Sequence, residues 1–323
     1  MIKRNILLPL FSIITILLFQ SCSSLFSGKR TSDSPTESRI ITTDIDNFYN
    51  AFDLAVKDTA NAQAIFQEEY FDVGSKGLKD FYKSKIRSTK KFADFVIRFK
   101  DYYQSIRKDI SDLDDLEKQI FKNFQDFEKL YPEAQFPDVY FVVGKYESNG
   151  TISKNGLLMG TEILARTKDS DTANWNKDIL RISMLRSHIP VSVSHELVHF
   201  NQDKMKDGNT LLWKSIREGS AEFIAELISG ETDGDYEKFK GRELEIWKDF
   251  QNDKNKNIWR SWQQESDLRP KNAGYWAGYM ICKAYYEQVG DKEKCIYDIL
   301  HIKDYEAFYK KSKVERYIKE QDL

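Results

Sequence analysis

Residues 192–202 read SVSHELVHFNQ and hold two of the four histidines in the 323-residue chain, His195 and His199, with Glu196 directly after the first. On a helix of 3.6 residues per turn, positions four apart lie about 40° apart in projection and one turn apart along the axis. The two imidazoles therefore share a face and can grip one metal ion. Glu196 stands about 100° round from His195, so its carboxylate can reach a metal-bound water without ligating. That is the mechanism an H-E-x-x-H helix carries. Leu197 and Val198 between the histidines are apolar, Ser194 and Phe200 flank them without charge, and Pro190 lies near the start of the run.

Two histidines are too few for a catalytic zinc, which usually takes three protein ligands and a water. Downstream, residues 213–230 read WKSIREGSAEFIAELISG, and Glu218 follows His199 with eighteen residues between. Gly219, Ser220 and Ala221 lack bulk, so two helices can approach toward the short end of the roughly 8–10 Å range that suits a bridging metal. Residues 203–210, DKMKDGNT, offer the turn between the two segments. Glu218, Glu222 and Glu226 also form an acidic stripe, for which a solvated helix face is the alternative reading, and for Glu226 the preferred one. His188, just before Pro190, reads as a loop residue, and Arg269 as a surface arginine.

The first residues carry a different message. Lys3 and Arg4 precede an apolar run from Ile6 to Phe19, shorter than the roughly 20 residues a membrane-spanning helix needs. The run ends in LLFQSCSS (17–24), where Ser21 precedes Cys22. This resembles a bacterial lipoprotein signal, which implies cleavage before Cys22, acyl chains on that cysteine and insertion into a lipid membrane. An ordinary secretory signal is the alternative, and either takes the mature protein out of the cytoplasm. Ser23, rather than Asp, after the cysteine points to an outer membrane in a cell that has one. Residues 22–39 are small and polar, as a flexible tether would be, which leaves 1–21 as signal peptide and 40–323 as a single body. Cys282 and Cys295 can pair in an oxidising compartment or stay as free thiols; their spacing does not decide.

Forty-nine basic residues against 51 acidic ones give a net charge of −2, with no long basic stretch to follow a phosphate backbone. Nucleic acid is therefore not an expected partner. From residue 44 to about 131 the pattern is helical. Leu113, Leu116, Ile120, Phe124, Phe127 and Tyr131 recur at spacings of three and four, a core-facing stripe. VYFVVGKY (139–146) and LLMGTEILA (157–165) read as two strands, and ESNGTISKNG between them as turns. From about 190 the pattern is helical again. The expected fold is α+β and mostly helical, with a helical part over 40–137 and a core over 138–323 whose small sheet lies beside the histidine helix.

Three stretches, SHELVHF, REGSAEFIAELISG and RPKNAGYWAGYMICKAYYEQVGDKEKCIYDIL, resemble the predicted zinc-dependent proteases of bacteria, over roughly residues 138–320. The H-E-x-x-H-x18-E layout is similar to that of the gluzincin metallopeptidases. The resemblance implies a zincin-like catalytic domain with Zn2+ on His195, His199 and Glu218, with Glu218 on a second, antiparallel helix and Glu222 hydrogen-bonding a ligand histidine. It implies Glu196 as general base toward a peptide or protein substrate, and Tyr275 or Tyr279 as the oxyanion donor, with His301 a further candidate. It implies a substrate laid along an edge strand, for which LLMGTEILA is the candidate, with Gly160 giving room for the backbone. A rival expectation keeps the lipoprotein and removes the chemistry: an envelope protein with a structural or degenerate zinc site that binds or scaffolds a partner.

Overall fold

The computed structural model describes residues 31–320. Of its helices, the seven that carry the argument are α1 (Thr43–Lys57), α2 (Thr89–Arg98), α3 (Asp114–Leu130), α4 (Ile189–Asn201), α5 (Leu211–Ser229), α6 (Ala273–Gln288) and α7 (Lys292–Leu300). Shorter helical turns connect them. The architecture is mostly helical α+β with small sheets, as the periodicity predicts.

Local chemistry accounts for the first helices. α1 turns Ile45, Phe48, Tyr49, Phe52 and Ala55 inward at spacings of three and four, with Asp44 and Asp46 in its first turn and Lys57 in its last, charges that oppose the helix dipole. The Ser88 side chain caps α2 by accepting from the Lys91 N–H. Three acids open α3, and Leu116, Ile120, Phe124 and Phe127 are buried along it, flanked by buried Leu113 and Tyr131. The rings of Phe48, Phe66, Tyr70 and Phe92 pack within about 6 Å of one another. Each ring buried this way contributes about 1.5–3 kcal/mol.

Among the described residues there are six strands. β1 (Thr31–Ser32) pairs antiparallel with β3 (Phe136–Pro137). β2 (Ile40–Ile41), β4 (Val139–Val142), β6 (Gly156–Gly160) and β5 (Gly150–Ser153) form a second sheet in that order, parallel except for the last pair. Two expectations are corrected here. The stretch read as turns contains β5, which forms the sheet edge. LLMGTEILA is not an edge: its strand β6 is fully buried between β4 and β5. A side-chain carbon on Gly160 would lie 2.1 Å from the Ser148 carbonyl oxygen, so this glycine admits neighbouring backbone rather than a ligand.

Residues 31–41 are laid on the body. Besides the strand pairing, Arg39 grips the buried Asp138 through both of its carboxylate oxygens, and Ser38 donates to the Pro137 carbonyl. The expected tether thus reaches the body by residue 31. Cys22 and the signal segment lie outside the described residues. Among the described residues no helix is long and apolar enough to cross a membrane. Cys282 and Cys295 are both buried free thiols.

α5 and α6 make the closest helix contact around the site. A side-chain carbon on Gly278 would lie 1.6 Å from the Ser215 backbone oxygen, and one on Gly219 would lie 2.1 Å from the Gly278 backbone. Two facing glycines let the helix backbones touch, and this fixes the height of Glu218, the residue before Gly219.

Candidate metal centre

α4 begins with Pro190 in its first turn, a position where the missing N–H is harmless. Residues 189–199 are buried without exception, so the helix is walled on all sides. The α3 residue Asn123 ties it down by donating to the Ser194 hydroxyl at 3.1 Å and to the Pro190 carbonyl at 3.4 Å. α5 is capped before its first residue by Thr210, whose hydroxyl accepts from the Trp213 N–H, and after its last by Gly230 in the left-handed conformation (φ 83°) that favours glycine. The expected helix–turn–helix is therefore present, with the loop at 203–210.

The three predicted ligands converge. Glu218 Oε2 lies 3.2 Å from His199 Nε2 and 3.7 Å from His195 Nε2, and the two rings stand 4.7 Å apart. Ligand atoms held about 2.0–2.1 Å from one zinc ion at the tetrahedral angle are themselves about 3.3 Å apart, so the residues fit a divalent cation. His199 Nδ1 lies 2.8 Å from Gln202 Oε1, while Gln202 Nε2 donates to the Arg217 carbonyl and the Ser220 hydroxyl. With that amide nitrogen committed elsewhere, the ring must donate from Nδ1. This leaves the Nε2 lone pair for a metal.

Burial sets the electrostatics. It raises the Glu196 carboxyl above its ordinary range, while both imidazoles pull it back. Burial also works to raise Glu218, but His199 and His195 overcome it and hold that carboxyl well below the usual value. Glu196 has room because Gly150 on β5 has no side chain: a carbon there would lie 2.6 Å from Glu196 Cγ and Oε1. Lys85, from the N-terminal helical part, is close enough to influence Glu196 electrostatically. A cavity of about 190 Å³ adjoins the site, lined by Ile152, His199, Gln202, Arg217, Leu300 and Ile302, among others.

The other candidates divide. Glu222 reaches His195 from behind, 3.3 Å from Nδ1. The Tyr275 ring centre is 6.4 Å from that of His195, so this tyrosine is at the site. Tyr279 is not: its hydroxyl donates to Glu226 at 2.6 Å, and its ring packs on Phe223 and Tyr236. His301 is engaged elsewhere, between Tyr131 and Asp203. Arg269 is buried over the Trp262 ring rather than exposed. Gly160 belongs to the interior of the sheet. Gln202, Gly150, Lys85, Asp233 and Tyr236 went unassigned in the sequence. Only Gln202 had a local signal, its place three residues after His199 on the same helix end.

A family model described as gliding motility protein GldB matches residues 30–268, a span that includes β1, all three predicted ligands and Glu222. Comparison with curated proteins and with solved structures returned no match. The family match overturns the expected membership in the predicted zinc-dependent proteases. With it go the assignments of gluzincin, zinc metallopeptidase and hydrolase. The physical reason is that H-E-x-x-H encodes a metal-gripping helix face and nothing about turnover; an ion held there can serve architecture as well as chemistry.

Proposed function

The chain belongs to the GldB lipoprotein family, and from that premise we propose that it is a non-catalytic envelope lipoprotein of gliding motility, acting by binding a protein partner. The metal seat is part of this reading as architecture: a divalent cation, zinc by its donor set, held by His195, His199 and Glu218. Such an ion joins α4 to α5 and, through Gln202, stiffens the start of the 203–210 loop. Anchoring through acyl chains on Cys22 places the body at a membrane surface, the outer membrane by the Ser23 signal. Peptide hydrolysis has no place in this function.

The family match carries the reading, and the ligand geometry supports its metal. Glu196→Gln removes the one group a hydrolytic site would need as base while leaving all three ligands. Introduced into the chromosomal copy of a gliding cell, it is expected to leave metal content and colony spreading unchanged. A variant made at normal level that keeps its metal but fails to support gliding would overturn the non-catalytic reading. Glu218→Ala is expected to lose the metal; unchanged metal would remove Glu218 from the seat.

A further inference from the structure

We propose that the cavity beside His199 captures the carboxy-terminal residue of the protein partner, its carboxylate on the Arg217 guanidinium and an aliphatic side chain inside the cavity. The proposal rests on the partner-binding reading above and gives that partner a chemistry; it needs neither a metal nor turnover. The cavity, of about 190 Å³, is enclosed by parts distant in sequence: Ile152 of β5, Met205 of the 203–210 loop, Arg217 of α5, and Ile299 and Leu300 of α7.

The interior is apolar and already built. Met205, Ile299, Leu300 and Ile302 are buried, and Ile152 packs against the core. The loop is stitched to the end of α7: the Asp203 N–H donates to the Leu300 carbonyl and the Lys206 N–H to the Lys303 carbonyl, at 2.9 and 2.8 Å. A preformed wall binds without the entropy loss of ordering a loop. Size then decides the kind of occupant. Pockets for whole small-molecule ligands run from about 300 Å³ upward, so this one takes a single side chain rather than a cofactor or a lipid acyl chain. Leucine, isoleucine or methionine suits its lining.

Polar groups around the cavity are committed within the chain, with one exception. Gln202 is engaged at both ends, by His199 Nδ1 and by the Arg217 carbonyl and Ser220 hydroxyl, and that hydroxyl itself donates to the Ile216 carbonyl. Asp203 is held by His301 and Lys303, and Lys204 stands 3.2 Å from Asp207. The exception is the Arg217 guanidinium. Among the described residues it donates no hydrogen bond: its Nε lies 3.9 Å from Glu218 Oε1, too far for one, and its central carbon is 5.9 Å from the Trp213 ring centre. A planar fork of donors without an acceptor is matched by a carboxylate, which it grips through two parallel bonds. An internal segment would have to enter and leave the cavity and find partners for its backbone on both sides. With one free group at the mouth, a chain end fits better, and capture of a terminal carboxylate is a recurring mode of peptide recognition.

Two fluorescein-labelled peptides test this on the purified full-length protein: Gly-Gly-Ser-Leu with a free carboxylate, and the same peptide ending in an amide. By fluorescence anisotropy the free acid is expected to bind about tenfold or more tightly than the amide, as the loss of a charge-assisted bond pair implies. A free acid ending in glycine instead of leucine should also bind about tenfold more weakly. Arg217→Gln leaves His195, His199 and Glu218 in place, so it separates capture by the guanidinium from capture by a metal, and should remove the preference for acid over amide. Ile152→Trp, which fills the cavity, should abolish binding. Equal binding of acid and amide by the wild type, which needs no variant to fold, or a preference unchanged in Arg217→Gln, overturns the proposal. Decanoate competing better than unlabelled peptide overturns a protein terminus as the occupant. The peptide should be recovered intact. Release of leucine would overturn the non-catalytic reading itself, whereas absent binding beside normal gliding of Glu196→Gln cells overturns the capture site alone.

Discussion

Between Thr43 and Tyr131, no described buried side-chain polar atom lacks a hydrogen-bond partner. Asp44 takes the Ser75 N–H and hydroxyl; Tyr49 and Tyr103 donate to backbone carbonyls. Between Ile189 and Gln288, by contrast, buried polar atoms of Ser215, Trp247 and Arg269 have none, and His195 Nδ1 and the Tyr236 hydroxyl have only the Glu222 carboxylate to turn to. The first region is completed by its own chain, through aromatic packing. The second gathers imidazoles and carboxylates that face one another across α4 and α5. Metal should therefore matter to the second region and leave the first indifferent.

The largest test of that contrast is Phe92→Ala, which empties a fully buried position packed against Phe48, Phe66, Tyr70 and Phe71. A loss of about 4 kcal/mol is expected in urea unfolding, the same with and without chelator. A loss that depended on metal would dissolve the distinction. Next comes Gly278→Ala, whose added carbon meets Ser215 backbone rather than a movable side chain. About 3 kcal/mol of destabilisation is expected, together with weakened zinc retention in dialysis, because α5 must shift with Glu218 on it. Full retention would show that the glycine contact does not position the ligand.

A buried acid that the chain does satisfy sharpens the comparison. Glu162 is fully buried and accepts the Gly144 and Tyr146 N–H groups, yet burial still lifts its carboxyl to about 7. The folded state then binds a proton more tightly than the unfolded state. Stability from this group is complete below the ordinary carboxyl range and lost as pH rises toward 7. The effect amounts to at most about 3 kcal/mol. Urea midpoints measured from pH 4.5 to 7.5 should fall less steeply in Glu162→Gln than in the wild type; parallel curves would refute the assignment. The smallest expected effect is at Asn123, the buried link from α3 to α4. Asn123→Ala should cost about 2 kcal/mol by removing the donor to the Ser194 oxygen and the acceptor of the Gln119 amide, while the Pro190 carbonyl keeps the Ser194 hydroxyl, with zinc retained. Zinc loss there would mean that the N-terminal part, too, holds the seat in shape.

Much was legible locally. The stripe from Leu113 to Tyr131 and the shared face of His195 and His199 follow from the helical repeat alone. Glu218 was singled out by the eighteen-residue spacing of the resembled layout, and the small residues after it allowed the close helix pair. The edge strand was misplaced because hydrophobic periodicity says which residues are buried, not which strand lies next to which; β5, rich in turn residues, looked like a loop. Tyr279 was indistinguishable from Tyr275, since one helical turn separates a ring beside His195 from one that meets Glu226. The protease reading failed for a related reason, as the spacing offers a candidate ligand set and says nothing of its use.

The amino-acid order by itself determined the helices, the facing imidazoles and the acid eighteen residues on, because each depends on neighbours along one helix or across one turn. Only the tertiary structure decided that Gly150 clears space for Glu196, that Gln202 sets the tautomer of His199, and that Asp233 and Tyr236 stand behind His195. Those partners come from different elements, and no periodicity relates them. They meet because burial packs the elements together, and the positions at which they meet are a property of that packing.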